Sequence, residues 1–287
     1  MLFNSVDFAV FMPLVFLLYW SGWLRTLRDR NLFVIAVSYL FYGWWDWRFL
    51  LLIVFSSGLD FVVGRKIEAA ERQLVRKRWL WLSVAANIGL LGFFKYANFF
   101  VASFVDAFQL MGSDISASSL QLILPVGISF YTFQTMSYTI DVYRRQTPAT
   151  KDALSFFAYV AFFPQLVAGP IERAKTFLPQ FARLHSFKYE RIRTGFQLIL
   201  WGLFKKMVIA DNCAYWGDLI FADPSPYSSL VLALGVVLFA FQIYGDFSGY
   251  SDIAIGTGRL LGFELRKNFD YPYFSRDLAE FWRRWHI

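Results

Sequence analysis

SLVLALGVVLFAFQIYG, residues 229–245, contains no charged residue and no proline. A run of this kind approaches the roughly 20 apolar residues that a hydrocarbon core needs. Inside lipid every backbone N–H and C=O must find a partner within the segment, so the run predicts a helix rather than a strand. Working outward, similar runs cover 8–24, 31–45, 49–63, 79–94, 121–140 and 195–213, and weaker apolar segments lie at 97–110 and 153–169. No stretch shows the short alternating strands of a transmembrane barrel.

Composition agrees. Hydrophobic residues make up 57% of the 287, aromatics 21% and charged residues 17%, against about 25% charged in a soluble domain. Mean hydropathy is +0.43. The chain is therefore expected to be an all-α, polytopic transmembrane protein with about seven spans, forming one membrane-embedded domain over 1–287.

The formal net charge of +7 does not point to nucleic acid, because the basic residues sit between apolar runs, where a membrane surface is their natural partner. Arg25, Arg28 and Arg30 follow the first run; Arg65, Lys66, Arg72, Arg76, Lys77 and Arg78 follow the third; Arg144 and Arg145 follow the fifth; Arg191 and Arg193 precede the sixth; Arg259, Arg266 and Lys267 follow the seventh. Alternate loops carry Asp46, Asp106, Asp114, Asp211, Asp218 and Asp223 instead. The positive-inside rule then places the basic loops in the cytoplasm and the N-terminus outside. The N-terminus lacks the basic start and cleavage site of a signal peptide and reads as a retained first span. The single cysteine, Cys213, excludes an intrachain disulfide and reads as a packing residue.

For that alternation to hold, 153–169 must begin and end on the cytoplasmic side. Pro164, Gly169 and Pro170 interrupt it, so it is expected either as a re-entrant segment or as an amphipathic surface helix.

Polar residues at membrane depth are costly and mark candidate sites. One cluster runs from Pro125 through Ser129, Thr132, Gln134 and Ser137 to Asp141; Gln134 can turn its amide toward a wet interior, or the span can be a kinked packing helix. A second is 162–173, with Gln165 in a broken stretch that could wall a cavity. A third is Lys205-Lys206 inside an apolar run, which must snorkel or face a polar interior. The densest is 242–262, where Asp246, Ser248, Ser251 and Asp252 crowd the end of an apolar span; its glycines lack dinucleotide-loop spacing, its acids lack the calcium-loop pattern, and no metal site is expected. The chain closes on Phe281-Trp-Arg-Arg-Trp-His-Ile287, where helical spacing would place Trp282, Trp285 and His286 on one face. A histidine there suits a general base or a packing role. His185, in a basic polar loop, reads as exposed.

Taken together these clusters resemble the membrane-bound O-acyltransferase (MBOAT) family, most closely its bacterial alginate-acetylating members. The matching stretches are LPVGISFYTFQTMSYTIDVYRR at 124–145, FFPQLVAGPIER at 162–173, FKKMVIAD at 204–211, YGDFSGYSDIAIGTGRLLGFELRKNFDYPY at 244–273 and FWRRWHI at 281–287, with LFNS at 2–5 and SYLFYGWW at 38–45. The resemblance implies a helical ring around a funnel that carries acyl groups from a cytoplasmic thioester such as acetyl-coenzyme A to hydroxyls of an exported polysaccharide. It implies no bound cofactor, a bacterial inner-membrane location, contact with lipid and a periplasmic partner of the SGNH-esterase-like kind. His286 matches the first of two family histidines; the second lies in a later helix that these residues do not reach, so the domain is expected to lack its C-terminal part and to be inactive alone. Gln134, Gln165, Asp246, Ser248, Ser251, Asp252, Trp282 and Trp285 would then line the funnel. Two other functions fit the broken helices and intramembrane charges: a transporter of polysaccharide or lipid-linked sugar, for which no internal symmetry is seen, and a non-catalytic scaffold for a periplasmic acetyltransferase.

Overall fold

A computed structural model describes residues 1–111, 125, 127–166, 169–170 and 172–287. The start of the fifth apolar run at 121–124, Asp114, and Val167, Ala168 and Ile171 of the 162–173 motif lie outside the described residues. Among those described, the only non-helical pairing is an isolated bridge between Phe269 and Trp285.

The helices are α1 (Val6–Trp20), α2 (Leu27–Asp46), α3 (Leu50–Ala69), α4 (Gln73–Leu110), α5 (Ile128–Tyr143), α6 (Ala153–Ala161), α7 (Phe163–Leu166), α8 (Ala174–Phe177), α9 (Tyr189–Leu203), α10 (Asp211–Ala222), α11 (Ser229–Leu260) and α12 (Leu278–Arg284). A 3₁₀ turn, Trp47–Phe49, joins α2 to α3, and Asp46 caps it by accepting from the Arg48 amide. Among the described residues, three helical segments are long and apolar enough to cross a bilayer: Leu27–Ala69 across that turn, Gln73–Leu110 and Ser229–Leu260. The runs expected separately at 79–94 and 97–110 form one 38-residue helix, because nothing between them breaks a helix.

Two bundles flank a broken middle. In the first, α3, α4 and α5 pack together around a buried polar ladder. Ser83 Oγ donates to Asp60 Oδ1 at 2.5 Å and Asn87 Nδ2 to Asp60 Oδ2 at 2.8 Å. Ser56 Oγ donates to Asn87 Oδ1 at 2.7 Å, and Thr135 and Thr139 lie 3.1 Å from Ser56 and Ser83. Such bonds substitute for the hydrophobic force that lipid removes from helix association. Arg76, buried at the start of α4, donates to the Val142 and Tyr143 carbonyls at the end of α5, satisfying acceptors that a helix C-terminus leaves free.

The second bundle packs α11 against α9. Gly202 faces Gly249, and Gly195, seven residues earlier in α9, faces Gly256, seven residues later in α11. A Cβ on Gly202 would stand 2.5 Å from the Gly249 carbonyl oxygen, and one on Gly256 2.5 Å from that of Gly195. The backbones touch because these positions carry no side chain.

The middle is α6–α8. Helix α6 has nine residues, about 14 Å at 1.5 Å per residue, half a hydrocarbon core. Its residues from Phe156 to Leu166 are almost wholly buried, apart from Phe157, so the surface-helix alternative fails: no face is left for water. Pro164 has no N–H to continue the ladder, and the Phe163 amide donates instead to Ser38 Oγ at 3.1 Å. The Tyr159 carbonyl, freed by that diversion, accepts from Gln134 Nε2 at 3.0 Å. Phe162, Phe177, Phe181 and Phe263 pack ring on ring below the break, with centroids 4.6–6.2 Å apart.

Candidate active site

The polar cluster expected at the end of an apolar span lies in the middle of one. Helix α11 continues unbroken to Leu260, so Asp246, Ser248, Ser251 and Asp252 sit mid-helix beside α9. There the α9–α10 helix widens into a π-helical section, Phe204–Ala210. Such a section carries one extra residue per turn and occurs often at functional sites. It holds both lysines, and they diverge. Lys205 Nζ lies 2.5 Å from Asp252 Oδ2 and donates to Ser248 Oγ at 3.1 Å; both charged side chains are largely buried. Lys206 pairs with Asp211 at 2.7 Å and Asp246 at 2.8 Å in a more open setting. The two ammoniums are ion-paired within the bundle rather than snorkelling, because the glycine contact brings α11 within reach of π-turn side chains.

A cavity of about 400 Å³ opens at this contact. Lys205, Ser248, Ser251, Asp252 and Asn268 supply its polar wall, and Trp201, Phe241, Tyr244, Phe269 and Tyr271 its aromatic one. Asp246 is not part of that lining. A larger groove of about 520 Å³ between α1 and α9 is apolar except for Asn4 and Ser5 and offers no ionisable side chain for chemistry.

His286 lies off α12 and outside the cavity lining, reaching the cavity wall through Asn268. That helix ends at Arg284; Trp285 is extended and His286 has φ +49°. The expected shared face of Trp282, Trp285 and His286 therefore does not form. Residues 284–287 instead pair with 268–270: the Asp270 amide donates to the Arg284 carbonyl and the Ile287 amide to the Asn268 carbonyl, each at 2.9 Å. That pairing ends the helix and turns the imidazole back. Its Nδ1 lies 2.7 Å from Asn268 Oδ1, and its ring lies 5.0 Å from Phe247 and 6.4 Å from Phe130. His286 keeps an exposed side chain, and its partial burial against these rings moves the imidazole pKa down from its ordinary value.

The other expected positions separate. Trp282 is 66% exposed and points away. Trp285 packs into an aromatic stack with Phe269 and Phe281, at 5.0 and 5.5 Å, outside the cavity lining. Gln134 is buried and spent on the Tyr159 carbonyl, so its amide faces no wet interior. Gln165 is buried in α7, with no partner for its Oε1 among the described residues. His185 is also buried, against expectation. Nε2 lies 2.9 Å from the Gln180 carbonyl, and the ring rests on Phe263 and under Gly262, whose φ of +89° brings its backbone against the imidazole. Asn268, the link between α11 and His286, lies in the 244–273 stretch, but nothing in the sequence pairs it with a histidine 18 residues on. Among the described residues no group of three or more His, Cys, Asp or Glu could hold a metal ion.

The sequence profile of the membrane-bound O-acyltransferase family matches residues 144–287, which contain the cavity lining, Asn268 and His286. The chain is an MBOAT protein. Over its entire length this MBOAT chain is 42% identical to the Pseudomonas aeruginosa protein named "Probable alginate O-acetylase AlgI", covering 54% of that relative. It is 34% identical to a peptidoglycan O-acetyltransferase of Helicobacter pylori, covering 59% of it. Over 83% of the chain it is 24% identical to a teichoic acid D-alanyltransferase of Bacillus subtilis. The chain spans about half the length of the alginate O-acetylase relative. Family membership and the long apolar helices make it a membrane protein.

Proposed function

We propose that this MBOAT chain contributes the His286 side of an O-acetyltransferase site that moves acetyl from a cytoplasmic thioester, acetyl-coenzyme A or a similar donor, toward hydroxyls of an exported polysaccharide. The observation that carries the proposal is an imidazole hydrogen-bonded to Asn268, which itself lines a cavity with a polar and an aromatic wall. In the step proposed, Nε2 of His286 takes the proton from the acceptor hydroxyl as its oxygen attacks the thioester carbonyl. The carbon–sulfur bond then breaks, the new ester leaves, and the imidazolium returns its proton to the departing thiolate. The basic loops would face the cytoplasm of a bacterial inner membrane and the N-terminus the periplasm, where an SGNH-type partner would complete transfer to polymer. Because the relatives are about twice as long, residues 1–287 alone are expected to be inactive, and the activity is assigned to a polypeptide of the relatives' length.

The test replaces His286 with Ala at the chromosomal locus and measures the O-acetyl content of exported polysaccharide by its acetyl methyl resonance. Loss of the signal with normal protein in the membrane is the expected result. Unchanged acetylation would leave the chain a scaffold or a transporter.

A further inference from the structure

We propose that Asn268 is a positioning residue for His286, holding the imidazole with its proton on Nδ1 and its lone pair on Nε2. The proposal rests on the assignment of His286 as the base.

Asn268 is buried between α11 and the chain end. Its Nδ2 donates to Ser251 Oγ on α11 at 2.8 Å. With Nδ2 directed at Ser251 Oγ, the end of the amide that faces the histidine is the oxygen. Oδ1 can only accept. At 2.7 Å from Nδ1 it therefore requires a proton there. A neutral imidazole carries one ring proton, so Nε2 is left bare, the form a general base needs. The same residue fixes the backbone: its carbonyl accepts from the Ile287 amide at 2.9 Å, holding His286 in a left-handed conformation (φ +49°) that a residue with a side chain seldom adopts unaided.

Nothing else holds the ring by a polar contact among the described residues. Phe247 of α11 and Phe130 of α5 flank it, and partial burial moves its pKa down. Orientation of the base thus depends on one uncharged amide. Ser251, at 1% exposure, also lines the cavity, so the relay Ser251–Asn268–His286 runs from the cavity wall to the base. A histidine oriented through its second nitrogen by a neighbouring polar group is a recurrent arrangement, and at metal-ligating histidines removing the orienting group costs about ten- to a hundredfold.

The test measures thiol release from acetyl-coenzyme A against pH, in membranes from cells carrying chromosomal Asn268→Leu, Asn268→Asp and His286→Gln alleles, with protein amount measured by immunoblot. Asn268→Leu is expected to lower kcat about ten- to a hundredfold with little change in KM for acetyl-coenzyme A. Asn268→Asp keeps an acceptor facing Nδ1–H and adds a negative charge beside the ring. It should retain much of the rate and move the acid limb of the pH profile up by about one pH unit, because the imidazole is then harder to deprotonate. A wild-type rate and profile for Asn268→Leu would overturn the proposal. If Asn268→Leu fails to accumulate, the acid limb of Asn268→Asp decides alone: displaced upward supports the proposal, unmoved overturns it. Substantial rate in His286→Gln would instead remove the base assignment itself, whereas inactive His286→Gln beside fully active Asn268→Leu would remove only the role of Asn268.

Discussion

Replacing Gly202 with Ala adds a single methyl group at the point where α9 and α11 touch. That carbon would meet the Gly249 carbonyl oxygen at 2.5 Å, Ile253 Cγ1 at 2.7 Å and the Ile253 amide nitrogen at 3.0 Å. Ordinary contact begins near 3.4 Å, so the helices must part by most of an ångström. Two of the three obstacles are backbone and cannot rotate aside. Overpacking of this kind costs about 1–3 kcal/mol, and a cost near the top of that range is expected here. Alanine returns somewhat less than about 1 kcal/mol in helix propensity. The net loss is therefore about 2 kcal/mol, equivalent to a fall of about 4–8 °C in melting temperature for a domain of this size. Gly89→Ala on α4 is the internal control, since a Cβ there meets nothing within 4 Å; it should be neutral or slightly stabilising. Both variants would be extracted in mild detergent, heated in steps and quantified as folded protein by fluorescence-detected gel filtration. A Gly202→Ala protein that melts with or above Gly89→Ala would refute the inference that direct backbone contact joins α9 to α11. The same separation should loosen the 2.5 Å Lys205–Asp252 pair, whose lysine stands three residues past Gly202 in the π-helical section.

Three further outcomes follow from buried polar groups. Lys205→Met leaves the Asp252 carboxylate without its cation and should cost about 3 kcal/mol, whereas Lys205→Met with Asp252→Leu should recover most of the loss, measured as the same melting shift. Asp60→Ala removes the acceptor of both Ser83 and Asn87 and should cost about 3 kcal/mol; Asp60→Asn, which keeps an acceptor oxygen, should lose less. His185 gives a pH dependence. Burial lowers its pKa from 6.5 to about 4, so the folded ring stays neutral while the unfolded chain takes up a proton below pH 6.5. Its contribution is full above pH 6.5 and is lost as the pH falls toward 4, about 3 kcal/mol in all. Melting curves at pH 7.5 and 4.5 should converge more closely for His185→Gln than for the wild type.

The helical membrane class was legible because 229–245 and its companions can satisfy their backbones in lipid only as helices. The broken middle at 162–173 was legible too, since Pro164 removes a donor whatever surrounds it. Other features depended on partners far away in sequence. Asp60 is one acid in an otherwise apolar run, and its donors come from another helix. Lys205 looked ready to snorkel until Asp252, 47 residues on, was placed beside it by paired glycines. His185 read as exposed because its neighbours are basic, but those arginines turn outward or onto carbonyls while the ring packs on Phe263. Trp282, Trp285 and His286 have helical spacing, yet pairing with 268–270 ends the helix first. That same pairing creates the Asn268–His286 contact, which no local pattern announces.

The measurement closest to the central claim is transfer of radiolabelled acetyl from acetyl-coenzyme A to washed, membrane-retained acceptor, comparing wild-type membranes with a chromosomal His286→Gln allele. Glutamine keeps a side chain of similar reach and can still bond to Asn268, but it cannot take up a proton at neutral pH. The account predicts that transfer falls to background while the protein remains at normal abundance. Label incorporated at the wild-type rate by His286→Gln would contradict it.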